Sequence, residues 1–129
     1  MPRFAHLAKA VWSGKLDVLK QAVEEKADLN AIYDGHTALL LAIQRQDTEA
    51  ALLLIKGGAD VDRTSVLGTT PLMACASLNE VDAVVVAAGL LAMGANVNAR
   101  DMSDNTALDE AKNNNQQELA ALLTANLEI

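Results

Sequence analysis

Alignable copies of one short pattern run through this chain. The first full copy opens Asp34-Gly35-His36-Thr37-Ala38-Leu39 and closes Gly57-Gly58-Ala59-Asp60-Val61-Asp62. The second opens Gly68-Thr69-Thr70-Pro71-Leu72-Met73-Ala74 and closes Gly94-Ala95-Asn96-Val97-Asn98-Ala99. A third opens Asp104-Asn105-Thr106-Ala107-Leu108 and stops before its closing half, while a degenerate first copy ends Lys26-Ala27-Asp28-Leu29-Asn30-Ala31. Thr37, Thr70 and Thr106 set the period at 33 and 36 residues (70 − 37 and 106 − 70). A unit of this length cannot bury its own apolar face, so the copies must stack. Such stacks present extended surface and enclose little.

The bulk numbers agree with thin stacked helices. Half of the 129 residues are apolar, yet only Phe4, Trp12 and Tyr33 are aromatic. A core of Ala, Leu and Val, the first two strong helix formers, suits closely packed helices better than a sandwich or barrel. At this length we expect one domain spanning 1–129, with approximate repeats 5–31, 32–64, 65–100 and 101–129. The net charge of −7 and the pI near 4.6 argue against nucleic acid, whose binding needs Lys and Arg to neutralise phosphates. They argue equally against an anionic membrane surface and favour a basic protein partner. Cys75 is the only cysteine, so no intramolecular disulfide can form. Lys9, Lys15, Asp17 and Lys20 interrupt the N-terminal segment, so neither a signal peptide nor a membrane span is expected there and a cytoplasmic location is.

Each copy reads as two short helices and a protruding turn. Thr37 is placed to cap the first helix, whose Leu39, Leu40, Ala42 and Ile43 form an apolar face. Gln46-Asp47-Thr48 breaks it, Glu49 to Lys56 forms the second helix, and Gly57-Gly58 ends that. The next copy repeats the plan with Pro71 directly after Thr70, where a missing N–H costs nothing. Aligning Asn79 with Gln46 leaves three extra residues before Gly94 (15 positions against the 12 from Gln46 to Gly58), and the run Val81 to Met93 predicts a longer or bent helix despite Gly89. Asn113-Asn114-Asn115-Gln116-Gln117 reads as the turn between the last two helices.

The period, the Thr-x-Leu and Thr-Pro-Leu openings and the Gly-Ala-Asp/Asn-x-Asp/Asn closings resemble the ankyrin repeat over about residues 5–125. The resemblance implies an all-α solenoid of stacked helix-turn-helix units with protruding β-turn or hairpin tips. The family's usual His after Thr-Pro-Leu is replaced here by Leu40, Met73 and Asp109. Its interhelix Gly survives only as Gly14, with Gln46, Asn79 and Asn115 at the other copies. These departures put inter-repeat hydrogen bonding and turn tightness in question, and leave the fold intact.

No constellation of catalytic or metal-binding residues stands out. His6 and His36 lie about a repeat apart without partners at ligand spacing. Cys75 falls at a small, buried first-helix position. Asp109-Glu110 reads as an acidic helix start. Gly57-Gly58 lacks the Lys-Ser/Thr of a phosphate loop. We expect no enzyme activity, no catalytic residue, no cofactor and no metal.

What the resemblance does imply is a partner surface on the turn tips and the first helices. Carried onto this sequence, the first tip gives Tyr33, Asp34 and His36, with Gln44 and Arg45 on its helix. The second gives Val66, Leu67 and Thr69, with Ser77 and Leu78. The last gives Met102, Ser103 and Asn105, with Asn113 and Asn114, and the opening copy gives Trp12 and Ser13. Trp, Tyr and Arg are the types enriched at binding hot spots. The leading expectation is therefore a monomeric, non-enzymatic binder that regulates or inhibits one protein partner, for instance as a stoichiometric inhibitor, an immunity protein or a regulatory subunit. Two other readings stand beside it: a self-associating homodimeric scaffold, and a small-molecule binder or enzyme using Asp34, His36 and Arg45.

Overall fold

The computed structural model describes residues 10–11, 14–25, 29–30 and 36–127. Its helices are α1 (Leu16–Glu24), α2 (Ala38–Gln44), α3 (Thr48–Lys56), α4 (Pro71–Ala74, prolonged by a 3-10 turn Cys75–Ser77), α5 (Glu80–Ala92), α6 (Ala107–Asn113) and α7 (Gln117–Leu127). The starts of the first helices follow from the three threonines. Thr37, Thr70 and Thr106 sit in extended backbone, and each hydroxyl accepts the N–H three residues on, from Leu40, Met73 and Asp109. Two of the residues that stand where the family has His complete the cap from the other side. Met73 Sδ accepts the Thr70 N–H at 3.5 Å, and Asp109 Oδ2 accepts the Thr106 N–H at 3.0 Å.

The helices form two layers. The second helices α1, α3, α5 and α7 pack side by side in one, and α2, α4 and α6 form the other. Between them lies a core of Leu, Ala, Val and Ile, with Leu39, Leu54, Leu72, Leu90, Leu119 and Leu123 fully buried. Cys75 is buried there too, its Sγ donating to the Pro71 carbonyl. Repeats are tied by hydrogen bonds as well as apolar contact. The Asp60 N–H donates to Asn30 Oδ1 and the Asn96 N–H to Asp62 Oδ1, one repeat apart in each case. Glu80 Oε1 accepts the N–H of Glu118 at 3.0 Å, capping the start of α7 from the preceding repeat.

One turn departs from the aligned pattern. Gly14, Gln46 and Asn115 all take positive φ, 70°, 60° and 57°, as the interhelix turn requires. Asn79 does not. Its φ is −64°, and it is the N-cap of α5, equivalent to Asp47 at the start of α3. The left-handed position has been lost from this copy and the chain closes through the 3-10 turn instead. The extra length lies in the helix, 13 residues in α5 against 9 in α3.

Candidate functional site

The two described tips are built alike. The Ser65 N–H donates to the Thr69 carbonyl and the Asp101 N–H to the Asn105 carbonyl. Inside each loop the first side chain holds the backbone. Ser65 Oγ accepts the N–H groups of Leu67 and Thr69 at 3.2 and 3.3 Å. Asp101 Oδ1 accepts those of Ser103 and Asn105 at 2.8 and 3.0 Å. Gly68 and Asp104 occupy the matching left-handed corner, φ 82° and 66°. Arg100 supports the strained aspartate, donating to its carbonyl at 3.0 Å and lying 3.6 Å from its carboxylate.

The tips also touch. The Met102 N–H donates to the Leu67 carbonyl at 3.2 Å. A Cβ on Gly68 would lie 3.2 Å from the Met102 nitrogen, so the missing side chain is what permits the approach. With their backbones occupied in this way, Val66, Leu67 and Met102 are left 76%, 65% and 77% exposed. The tips are thus fixed loops carrying apolar side chains into solvent, where an isolated loop would carry polar ones.

Beside the tips, the first-helix layer carries an open recess of about 230 Å³. Gln44, Thr69, Ser77 and Asn114, drawn from three successive repeats, all border it. Met73, Ala74 and Ala76 form its apolar part, and Asp101 and Glu110 its charge. These five were not among the residues expected on this face. Asp101 and Glu110 could have been reached from the sequence, since each precedes by a few positions a residue that was expected there. Among the described residues none that borders the recess is basic.

The remaining expected residues divide. Arg45, Ser103 and Asn113 are exposed; His36 and Asn105 are half-buried, and among the described residues His36 Nδ1 is buried without a hydrogen-bond partner. Trp12, Ser13, Tyr33 and Asp34 lie outside the described residues. Leu78 is a correction. It is only 4% exposed and belongs to the core, because the shortened turn after α4 swings it inward to the place where Gln46 and Asn115 point out. Among the described residues two side chains are electrostatically perturbed. Burial pushes the Cys75 thiol up to about 12, which leaves it protonated and inert as a nucleophile. The Asp109 carboxyl is held below its usual range, first by the Thr106 N–H it accepts. Among the described residues no cluster of His, Cys, Asp and Glu could hold a metal ion.

Residues 7–101 match the family model described as Ankyrin repeats (3 copies). The chain belongs to the ankyrin-repeat family. It is similar to the mouse (Mus musculus) B-cell lymphoma 3 protein homolog, 38% identical over 96 residues that make up 73% of this chain and 21% of the relative. It is also similar to the chicken (Gallus gallus) nuclear factor NF-kappa-B p105 subunit, 39% identical over 84 residues, 61% of this chain and 8% of the relative. The chain therefore spans about a fifth or less of the length of these curated relatives. Ankyrin repeats generally mediate protein–protein interaction. Among the described residues no helix is long and apolar enough to cross a membrane.

Proposed function

We infer that this ankyrin protein is a non-enzymatic binder that engages a protein partner through its tips and the adjoining recess. The observation that carries the reading is the Leu67–Met102 backbone bond, which locks two neighbouring tips together while leaving Val66, Leu67 and Met102 in solvent. Preordered apolar side chains lose little entropy on binding, which is the economy a recognition surface needs. Gln44, Ser77, Glu110 and Asn114 supply a polar floor beside them. The carboxylates of Asp101 and Glu110, and the net charge of −7, favour a partner segment bearing Lys or Arg.

Binding of this kind regulates or inhibits the partner by covering its surface, and a monomer acting in the cytoplasm is the form we propose. One relative is by name a subunit of a nuclear factor. The experiment is affinity capture from lysate of the source cells with tagged wild-type protein and with a Leu67→Ser/Met102→Ser variant. A stoichiometric protein retained by the wild type and lost by the folded variant supports the reading. Equal retention by both removes the tips from the interface.

A further inference from the structure

The outer face of α5 has no counterpart elsewhere in the second-helix layer. In α3 the exposed residues are Glu49 and Lys56, and in α1 they are Asp17, Val18, Lys20, Gln21 and Glu24. A surface helix normally pays its solvent side with such polar residues. In α5, after the first residue Glu80, every exposed side chain is apolar: Val81, Val85, Ala88 and Ala92. Their spacing of four, three and four positions places them in one stripe along the helix. Val81 is 71% and Val85 43% exposed. The stack does not require this stripe, since α3 occupies the same place in its own repeat without one. The stripe lies in the layer opposite the recess, so the tip surface does not account for it either.

Charge selects the occupant. Glu80 and Asp82 stand in the first turn of α5 and Glu118 in the first turn of α7, and the Glu118 N–H bonded to Glu80 Oε1 brings the two helix starts together. Neither α5 nor α7 contains a Lys or Arg. The stripe is thus apolar along its length and acidic at one end. A second copy of α5 or α7 offers no cation to meet that end. A foreign helix with an apolar stripe and Lys or Arg at the matching end meets both parts.

We propose that the outer face of α5 is a second docking surface, for a basic amphipathic helix of another protein. Such a helix lays side chains at helical spacing between Val81, Val85 and Ala88 while its cations reach Glu80 and Glu118. With partners on both layers, the chain would join two proteins.

The probe is a designed helical peptide of about 20 residues with a Leu stripe and Lys on its other faces, compared with the same peptide carrying Glu for Lys. Fluorescence anisotropy measures each against wild type, Val81→Gln/Val85→Gln, Glu80→Gln/Glu118→Gln and Leu67→Ser/Met102→Ser. The Lys peptide is expected to bind the wild type and the tip variant equally, and the Val81→Gln/Val85→Gln variant about tenfold or more weakly, a difference of about 1.4 kcal/mol. Glutamine is a good helix former, and circular dichroism verifies that this variant stays folded. The Glu80→Gln/Glu118→Gln variant should bind with a shallower salt dependence, and the Glu peptide should not bind. Unaltered binding by Val81→Gln/Val85→Gln, no binding by the wild type, or a sedimentation mass showing self-association through α5 would each overturn the proposal. None of these outcomes bears on the tips, which the capture experiment tests separately.

Discussion

The side-chain amide of Gln116 donates to the carbonyl of Ala76 at 3.1 Å, across a separation of 40 residues. The same Nε2 also reaches the carbonyl of Leu78. Both carbonyls belong to the shortened turn between α4 and α5, where the 3-10 closure leaves them without helical partners. A residue in the turn of the last helical pair therefore completes the turn of the pair before it. Gln116 is buried, so water is poorly placed to substitute. Gln116→Ala is expected to lower stability by about 1–3 kcal/mol, the cost of stranding buried acceptors. Urea unfolding followed by circular dichroism measures it, and a loss within error of zero would show that the two carbonyls find other donors.

Two glycines make opposite predictions. A Cβ on Gly57 would lie 2.8 and 2.9 Å from the two methyls of Val23 and 3.2 Å from Leu29. A β-branched side chain cannot swing away cheaply, so Gly57→Ala should cost about 1–3 kcal/mol. A Cβ on Gly89 would meet Leu52 and Ile55 at 3.7–3.8 Å, ordinary contact distance. Gly89 is helical, and Gly89→Ala should stabilise by about 0.5–1 kcal/mol through helix propensity. Melting the two variants side by side checks the pair, and matching signs would refute the packing argument at one of them.

Much of this architecture is legible in the sequence because it is set locally. Thr37, Thr70 and Thr106 cap helices through bonds three residues long, and Gly58 and Gly94 close the second helices with positive φ. What escaped was non-local. Aligning Asn79 with Gln46 by residue type hid the lost left-handed position, because the bond that compensates it comes from Gln116. Leu78 was placed on the surface for the same reason. Of the surface residues that the resemblance implied, Gln44, Thr69, Ser77 and Asn114 border one recess, and Asp101 and Glu110, each a few positions before such a residue, border it as well.

Asp109 gives a pH dependence of defined sign. Its carboxyl is held below the usual range by the Thr106 N–H, so the folded state binds its proton less readily than the unfolded state does. The stabilisation is complete above the usual carboxylate pKa and is lost as pH falls through the depressed one. Asp109→Asn keeps an oxygen that can accept the Thr106 N–H but does not titrate. The stability advantage of wild type over Asp109→Asn should therefore shrink steadily on acidification. A gap that stays constant from neutral to acidic pH would assign the shift no part in folding.

Cys75 supplies the complementary case at alkaline pH. Its side chain is fully buried, and the thiol, ordinarily titrating at 9.0, is pushed up to about 12. The folded protein therefore keeps a proton that the unfolded chain releases above pH 9.0. Stability from this group is full below 9.0 and falls as pH rises toward 12, with a slope of at most about 1.4 kcal/mol per pH unit. Cys75→Ala removes the titration at the cost of a small cavity. The variant should be the less stable protein near neutral pH, and the difference should narrow as pH rises past 9.0. The same burial makes alkylation of the native thiol wait for opening, so its rate should follow denaturant-induced unfolding. Rapid labelling of the folded wild type at pH 8, as fast as a free thiol in a peptide, would mean that the α4 turn opens without the rest of the stack.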